Sequence, residues 1–395
     1  MWSIRSSLGP VRLRWCFIAA LGLTLLLAPP LHPTVGATQE PSPDGPVANK
    51  LWAFLAKFAP SVPGLEIQVQ RPDGGVGPQG FSLVRYRISS SEPRLDKTSE
   101  LLLSDDGKTV FIGHALPLAS DAIGSGPPSL QARLSDYFTR RAGRPMKVSL
   151  DSKTGPGGAV EARVSIESPF GSVESCGALS KDRKWFLFGA FFPLDEDPRK
   201  VRVERLALSG RISLGETSAK VTVVEITDFQ CPKCAELQPI LEALVSRYSP
   251  RVKLVRVDLP EWRVHDWGVK AAVLCRCAGQ IDSGAFWPLT KSIFAKQGTI
   301  TADNLEAALF PDLQALGVSG PAFEQCRNDA SATKAVLKDL LRVSSAGLEG
   351  TPTVLVNGAL LQDDIEGLVE KAILKALKEE YPRSSSDREA RSKGR

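Results

Sequence analysis

The chain has 395 residues, more than one ordinary domain needs, so two or three domains are expected. With 43% apolar and 24% charged residues, it has the composition of a soluble protein with packed cores. The formal charge is +5, but three of the 49 basic residues lie in an acid-free leader; the other 46 against 44 acids leave +2, which gives no electrostatic case for a nucleic-acid partner.

Residues 1–37 read as an export signal. Arg5, Arg12 and Arg14 supply the positive start, Cys16 to Ala28 an uncharged apolar stretch, and Val35-Gly36-Ala37 a small-residue cleavage site. The competing reading is an uncleaved membrane anchor, but that stretch rises only about 20 Å as a helix, short of a hydrocarbon core of roughly 30 Å. Cys16 lies inside the stretch and not just after a cleavage site, which argues against a lipid-anchored cysteine. The expected location is therefore periplasmic or otherwise extracytoplasmic. Export puts the remaining six cysteines in an oxidising compartment. Four form close pairs, Cys231/Cys234 and Cys275/Cys277, while Cys176 and Cys326 stand alone.

Residues 38–49 are polar and Pro-rich and read as a linker. An α+β module over 50–121 follows. A helix carries Leu51, Leu55 and Phe58 on one face, then strand-like runs occupy 65–69, 81–88, 101–103 and 110–112. The pattern recurs over 127–198, with a helix bearing Leu130, Leu134 and Phe138 and strands at 148–150 and 160–166. At an offset of 76 residues, Ser104–Asp121 matches Ser180–Asp197 at seven of 18 positions, against about one by chance. Two copies of one module fit this better than a single larger α+β domain with a chance echo. The shared acidic turn enters an apolar strand; the shared glycine (Gly113, Gly189) is expected to allow a bend, and the proline (Pro117, Pro193) to end the pairing. Nothing in either copy looks catalytic. His114 has Ala190 as its counterpart and reads as a partly buried structural histidine.

Ser104–Asp121 resembles the sheet segment of the N-terminal dimerisation domain of the disulfide isomerase DsbC. The resemblance implies cystatin-like modules used for association, hence a homodimer; with two modules in tandem, pairing inside one chain is the alternative.

Residues 208–219 join the modules to a last domain over 215–381. It reads strand (221–227), helix (from Cys231), strand (252–257), helices (about 265–345), strand (353–356) and helix (365–381). Residues 382–395 lack apolar periodicity and are expected to be disordered.

The strongest signal is Val221-Thr-Val-Val-Glu-Ile-Thr-Asp-Phe-Gln-Cys-Pro-Lys-Cys234. Val221, Val223, Val224 and Ile226 make both strand faces apolar, as in a central strand. Cys231 then falls at a helix N-terminus, where free backbone N–H groups and the helix dipole favour an anion. Pro232 suits the first turn, and Lys233 adds a nearby positive charge. Such surroundings lower a thiol pKa from ~8.5 to between ~3.5 and ~7.5. Cys231 is expected to be the exposed nucleophile and Cys234 the inward resolving partner. Half of a zinc site and a plain structural disulfide compete with this, but the histidines lack zinc-type spacing. No metal or cofactor is expected.

Asp228 to Cys234 is similar to the active-site run of the DsbA-type thioredoxin-fold thiol–disulfide oxidoreductases. Pro239 resembles their helix-kinking proline. Gly350-Thr351-Pro352-Thr353-Val354 resembles their cis-proline loop, which places Thr351 and Pro352 beside Cys231. In the family, the acid corresponding to Glu225 is buried and assists proton transfer; Glu225 on an outward edge strand is the alternative. About 262–347 is a helical insert of the kind these enzymes carry, and Cys277 with Cys326 resembles a second, structural disulfide found in some members. Cys176 and Cys275 are left free or mutually paired. The expected fold is thus an α/β thioredoxin-like domain with a helical insertion, preceded by two α+β cystatin-like modules. The expected activity is oxidation of cysteines in exported proteins, with a membrane redox partner recharging Cys231. A disulfide isomerase or reductase, and a non-catalytic binding protein with a structural CxxC, stand as alternatives.

Overall fold

The computed structural model describes residues 46–70, 77–91, 95–124, 127–361 and 365–381; the leader, most of the spacer and the tail lie outside the described residues. Module one is α1 (Pro46–Phe58), β1 (Glu66–Gln70), β2 (Phe81–Ser90), β3 (Leu95–Ser104) and β4 (Thr109–Pro117). Module two is α2 (Ser120–Ile123), α3 (Leu130–Ala142), β5 (Met146–Thr154), β6 (Val160–Ser168), β7 (Gly171–Leu179) and β8 (Trp185–Pro193). The helix begins inside the expected linker, at Pro46, and β7 is a strand that the sequence pattern did not reveal.

The repeat identities have local causes. In copy one the Ser104 hydroxyl donates to Asp106 at 2.6 Å and accepts from the Thr109 N–H, while Asp106 accepts from the Lys108 N–H. Copy two repeats each bond with Ser180, Asp182, Trp185 and Lys184. The turn needs a left-handed residue, Gly107 at φ 66° in one copy and Arg183 at φ 58° in the other.

The two copies join through their last strands into one antiparallel sheet, ordered β1-β2-β3-β4-β8-β7-β6-β5. Thr109 pairs with Pro193, Gly113 with Gly189 and Pro117 with Trp185, so an approximate twofold passes through the two glycines. Here the expectation of a bend is corrected. Both strands run on through the glycine, whose role is close approach: a Cβ on Gly113 would sit 2.1 Å from the Phe188 carbonyl oxygen, and one on Gly189 2.1 Å from that of Ile112. The cores interlock as well. Phe192 and Leu194, following β8's centre, pack with α1 in module one, whereas Leu116 of β4 packs with Leu134 and Phe138 in module two. Neither copy completes its apolar interior alone. His114 sits exposed on β4, not partly buried.

α4 (Pro198–Leu206), capped by Asp197, leads into the third domain. That domain comprises β9 (Ser213–Leu214), β10 (Val221–Thr227), α5 (Pro232–Arg247), β11 (Val252–Asp258), α6 (Gly268–Ile281), α7 (Phe286–Ala295), α8 (Leu305–Ala315), α9 (Pro321–Asn328), α10 (Ala330–Ser345), β12 (Thr353–Val356), β13 (Ala359–Leu360) and α11 (Ile365–Glu380). The sheet order is β13-β12-β10-β11-β9, with β10 and β11 parallel and β12 antiparallel to β10. β10 is thus central, which accounts for its apolar faces. The segment after α4 is not a bare connector. β9 pairs with β11, and Arg211 forms a two-pronged ion pair with buried Asp339 of α10. Val173 of β7 joins Leu337, Leu340 and Val343 of α10 in a shared core, which docks module two onto this domain. Among the described residues no helix is long and apolar enough to cross a membrane.

Candidate active site

The sharp turn after β10 delivers Cys231 to the N-cap of α5, with Pro232 as the first helical residue. Its backbone N–H donates to Asp228, and its carbonyl accepts from Cys234 and Ala235, which starts the helix. Cys231 is 8% exposed and Cys234 is fully buried. The order of accessibility matches a nucleophile and a resolving thiol, but Cys231 is far less open than the sequence led one to expect. The loop that covers it is Thr351-Pro352, joined by a cis peptide; the Thr351 carbonyl oxygen lies 3.7 Å from the Cys231 sulfur.

The two thiols are driven apart electrostatically. The Cys231 pKa falls to about 6, chiefly because the Cys234 thiol donates to its sulfur, with further help from the Cys234 N–H, Thr351 and the Lys233 N–H; burial opposes the shift. Cys234 is held well above the ordinary thiol range by burial and by its neighbour. Lys233 contributes in two ways. Its side chain, 74% exposed and paired with Glu236 at 2.8 Å, still interacts with the Cys231 charge as expected, and its backbone N–H also stabilises the Cys231 sulfur.

Glu225 is fully buried on the central strand; among the described residues neither carboxylate oxygen makes a well-formed hydrogen bond, and the nearby Thr227 hydroxyl eases the cost of its charge. Burial pushes its pKa up to about 7, opposed by Arg256, its cross-strand partner on β11. The Arg256 guanidinium lies 3.5 Å above the Phe229 ring and donates to Asp258. Glu225 is near enough to Cys234 for its charge to raise that thiol further.

Sequence reasoning missed the residues that hold the turn. Asp228, whose side chain is fully buried, accepts from the Gln230 N–H at 2.9 Å, the Glu261 N–H at 2.8 Å and the His265 ring at 2.5 Å. That bond raises the His265 pKa above its ordinary value. Gln297, just past α7, donates to the carbonyls of Phe229 and Cys231, so the helical insert grips the redox turn directly. Asp228 beside the CxxC was a usable signal; His265 and Gln297 come from distant segments with no local pattern.

Cys277 of α6 and Cys326 of α9 form a disulfide away from this centre, with Cα atoms 5.7 Å apart. Cys275 and Cys176 are both free. Cys275 contacts Thr290 and the Phe286 carbonyl, and burial pushes its pKa up to about 11.

The family model described as Thioredoxin matches residues 208–376. The chain is similar to disulfide bond formation protein D of Bacillus anthracis, 30% identical over 185 residues that cover 44% of this chain and 82% of that one. It is also 31% identical over 144 residues to a Na(+)/H(+) antiporter NhaA of Salinispora arenicola, covering 36% of this chain and spanning only 21% of the antiporter's length. Among solved structures, the catalytic domain of Proteus mirabilis ScsC is 22% identical, covers 45% of this chain and 98% of its own, and superposes with a TM-score of 0.38.

Proposed function

The chain belongs to the DsbA-type thioredoxin-fold thiol–disulfide oxidoreductases, and from that premise we propose that it is exported and oxidises cysteine pairs of other exported proteins through Cys231 and Cys234. The observation that carries this is the asymmetry of the two thiols at the start of α5: one with its pKa lowered to about 6, the other buried and held protonated.

In the oxidised enzyme a substrate thiolate attacks the Cys231 sulfur, the Cys231–Cys234 bond breaks, and Cys234 leaves and takes up a proton. Glu225, with a pKa of about 7, is suited to supply it. The substrate's second thiolate then attacks the substrate sulfur of the mixed disulfide, and Cys231 leaves as a thiolate. Two electrons have passed from the substrate to the enzyme pair; a membrane redox partner removes them. A low pKa makes Cys231 a good leaving group and stabilises the reduced enzyme, and both effects favour oxidation over reduction. The modules support a further point. The pairing of β4 with β8 supports association of the two copies inside one chain, the alternative to a homodimer.

Incubating the oxidised protein with a reduced dithiol peptide tests the proposal. Cys231→Ser abolishes peptide oxidation, and Cys234→Ser, given the disulfide form of the peptide, attacks it through its Cys231 thiolate only as far as the mixed disulfide, which accumulates because no second enzyme thiol resolves it. A reduction potential more negative than about −200 mV, the poise of an oxidising glutathione pool, would refute the oxidase direction.

A further inference from the structure

The loop between β11 and α6 is clamped onto the segment that leads into Cys231. Asp228 accepts from the Glu261 N–H at 2.8 Å and from His265 Nδ1 at 2.5 Å. Gln230 accepts from the Trp267 N–H and donates to Asp266, both at 3.0 Å. Behind the loop, α6 begins so close to Asp228 that a Cβ on Gly268 would lie 2.6 Å from a carboxylate oxygen. Both ends of the loop are held against the redox turn, and the bond at Nδ1 fixes the ring between them.

That arrangement decides the tautomer. A fully buried carboxylate bonded to Nδ1 keeps the proton there, so the neutral ring presents Nε2 as an acceptor. Among the described residues the ring makes its hydrogen bond at Nδ1 alone, and the His265 side chain is 20% exposed. The bond to Asp228 is the largest influence raising its pKa; the charges of Asp228, Cys231 and Glu261 add to it, and burial opposes them. The ring therefore lies within the field of the reacting sulfur with a free lone pair. A base is useful at this place. The thiolate is the attacking form, and a cysteine with a pKa of ~8.5 is only about 3% ionised at pH 7.

We infer that His265 is the base that takes the proton from the entering substrate thiol, with Asp228 holding the imidazole for the task. The inference rests on exchange at Cys231 and adds the proton acceptor that the first step needs. The substrate thiol gives its proton to Nε2, and its sulfur bonds to Cys231. The Cys231–Cys234 bond breaks, its electron pair leaves on Cys234, and Cys234 takes a proton from Glu225. His265 returns its proton to solvent and repeats the step for the second substrate thiol, whose sulfur displaces Cys231. Two protons and two electrons have then left the substrate, and the imidazolium stands near the Cys231 thiolate that it helped to form.

The test is kcat/KM for oxidation of a dithiol peptide by the oxidised full chain, measured from pH 7 to 9.5. Cys231 is in a disulfide at the start and does not itself titrate. His265→Asn keeps an N–H for Asp228 but has no atom in place of Nε2. It lowers kcat/KM about tenfold to thirtyfold at pH 7, the upper limit being the inverse of the ionised fraction. By pH 9.5 it matches the wild type, because the peptide is then mostly ionised without help. His265→Gln serves as the second variant, and a urea midpoint equal to that of the wild type qualifies either one as folded. Equal rates at pH 7 overturn the inference, because the ring is then dispensable. A loss of the same size at pH 7 and 9.5 in a folded variant also overturns it, because the ring is then only a support for the loop. A wild-type chain that does not oxidise the peptide overturns the exchange reading itself, which keeps the two failures distinct.

Discussion

Replacing Glu225 by Gln should stabilise the protein at high pH and leave it nearly unchanged in acid. The carboxyl titrates at about 7 in the fold against 4.5 when unfolded. Between those values the native state holds more protons than the unfolded state, so the stability associated with this group is complete below pH 4.5 and is lost as pH rises through 7. At about 1.36 kcal/mol per pKa unit, ionising Glu225 in place costs about 3 kcal/mol above pH 8. Gln keeps the shape and cannot ionise. Urea unfolding of the reduced protein and the variant should therefore differ by about 3 kcal/mol at pH 8.5 and by little at pH 4, where the wild type is already protonated. The stabilised variant should also exchange disulfides more slowly, because Cys234 loses its nearby proton source. A stability difference that does not change with pH would refute the claim that burial sets this pKa.

Thiolate absorbance should give Cys231 a midpoint near 6, and Cys234→Ala should move it upward by removing the largest stabilising contact; an unmoved midpoint would assign the effect to the helix terminus instead. Stability of the reduced protein gains from this depressed pKa above pH 9 and loses that gain as pH falls through 6, so Cys231→Ser should flatten the stability profile across that window. Gly113→Ala places a side chain 2.1 Å from the Phe188 carbonyl at φ 148°, and should cost about 3 kcal/mol or more in urea midpoint and m-value measurements; a loss under about 1 kcal/mol would refute the close-approach role. Replacing Cys277 and Cys326 together by Ala opens a loop with a sequence separation of 49 and should cost up to about 4 kcal/mol while the Cys231 midpoint stays where it was.

Much of the redox centre follows from local chemistry. A β-branched apolar run, a turn and Pro232 after a cysteine dictate strand, N-cap and helix within about a dozen residues, so the places of Cys231 and Cys234 are legible without tertiary information. The paired turns of the modules are equally local, because the Ser104 and Asp106 side chains bond within their own loop. Other features depend on contacts across long separations. That β4 and β8 fuse the copies, with Gly113 against Gly189, could not be told from a glycine bend, because strand register carries no signature within one strand. His265 on Asp228, Gln297 on the Cys231 carbonyl and the cover over Cys231 each join segments 37 to 120 residues apart. The sequence by itself determined which sulfur starts the helix and which follows one turn later, since both are properties of a short stretch of backbone. Only the tertiary structure decided how deeply those sulfurs lie and which groups tune them, because burial and electrostatics are set by what the rest of the chain brings alongside.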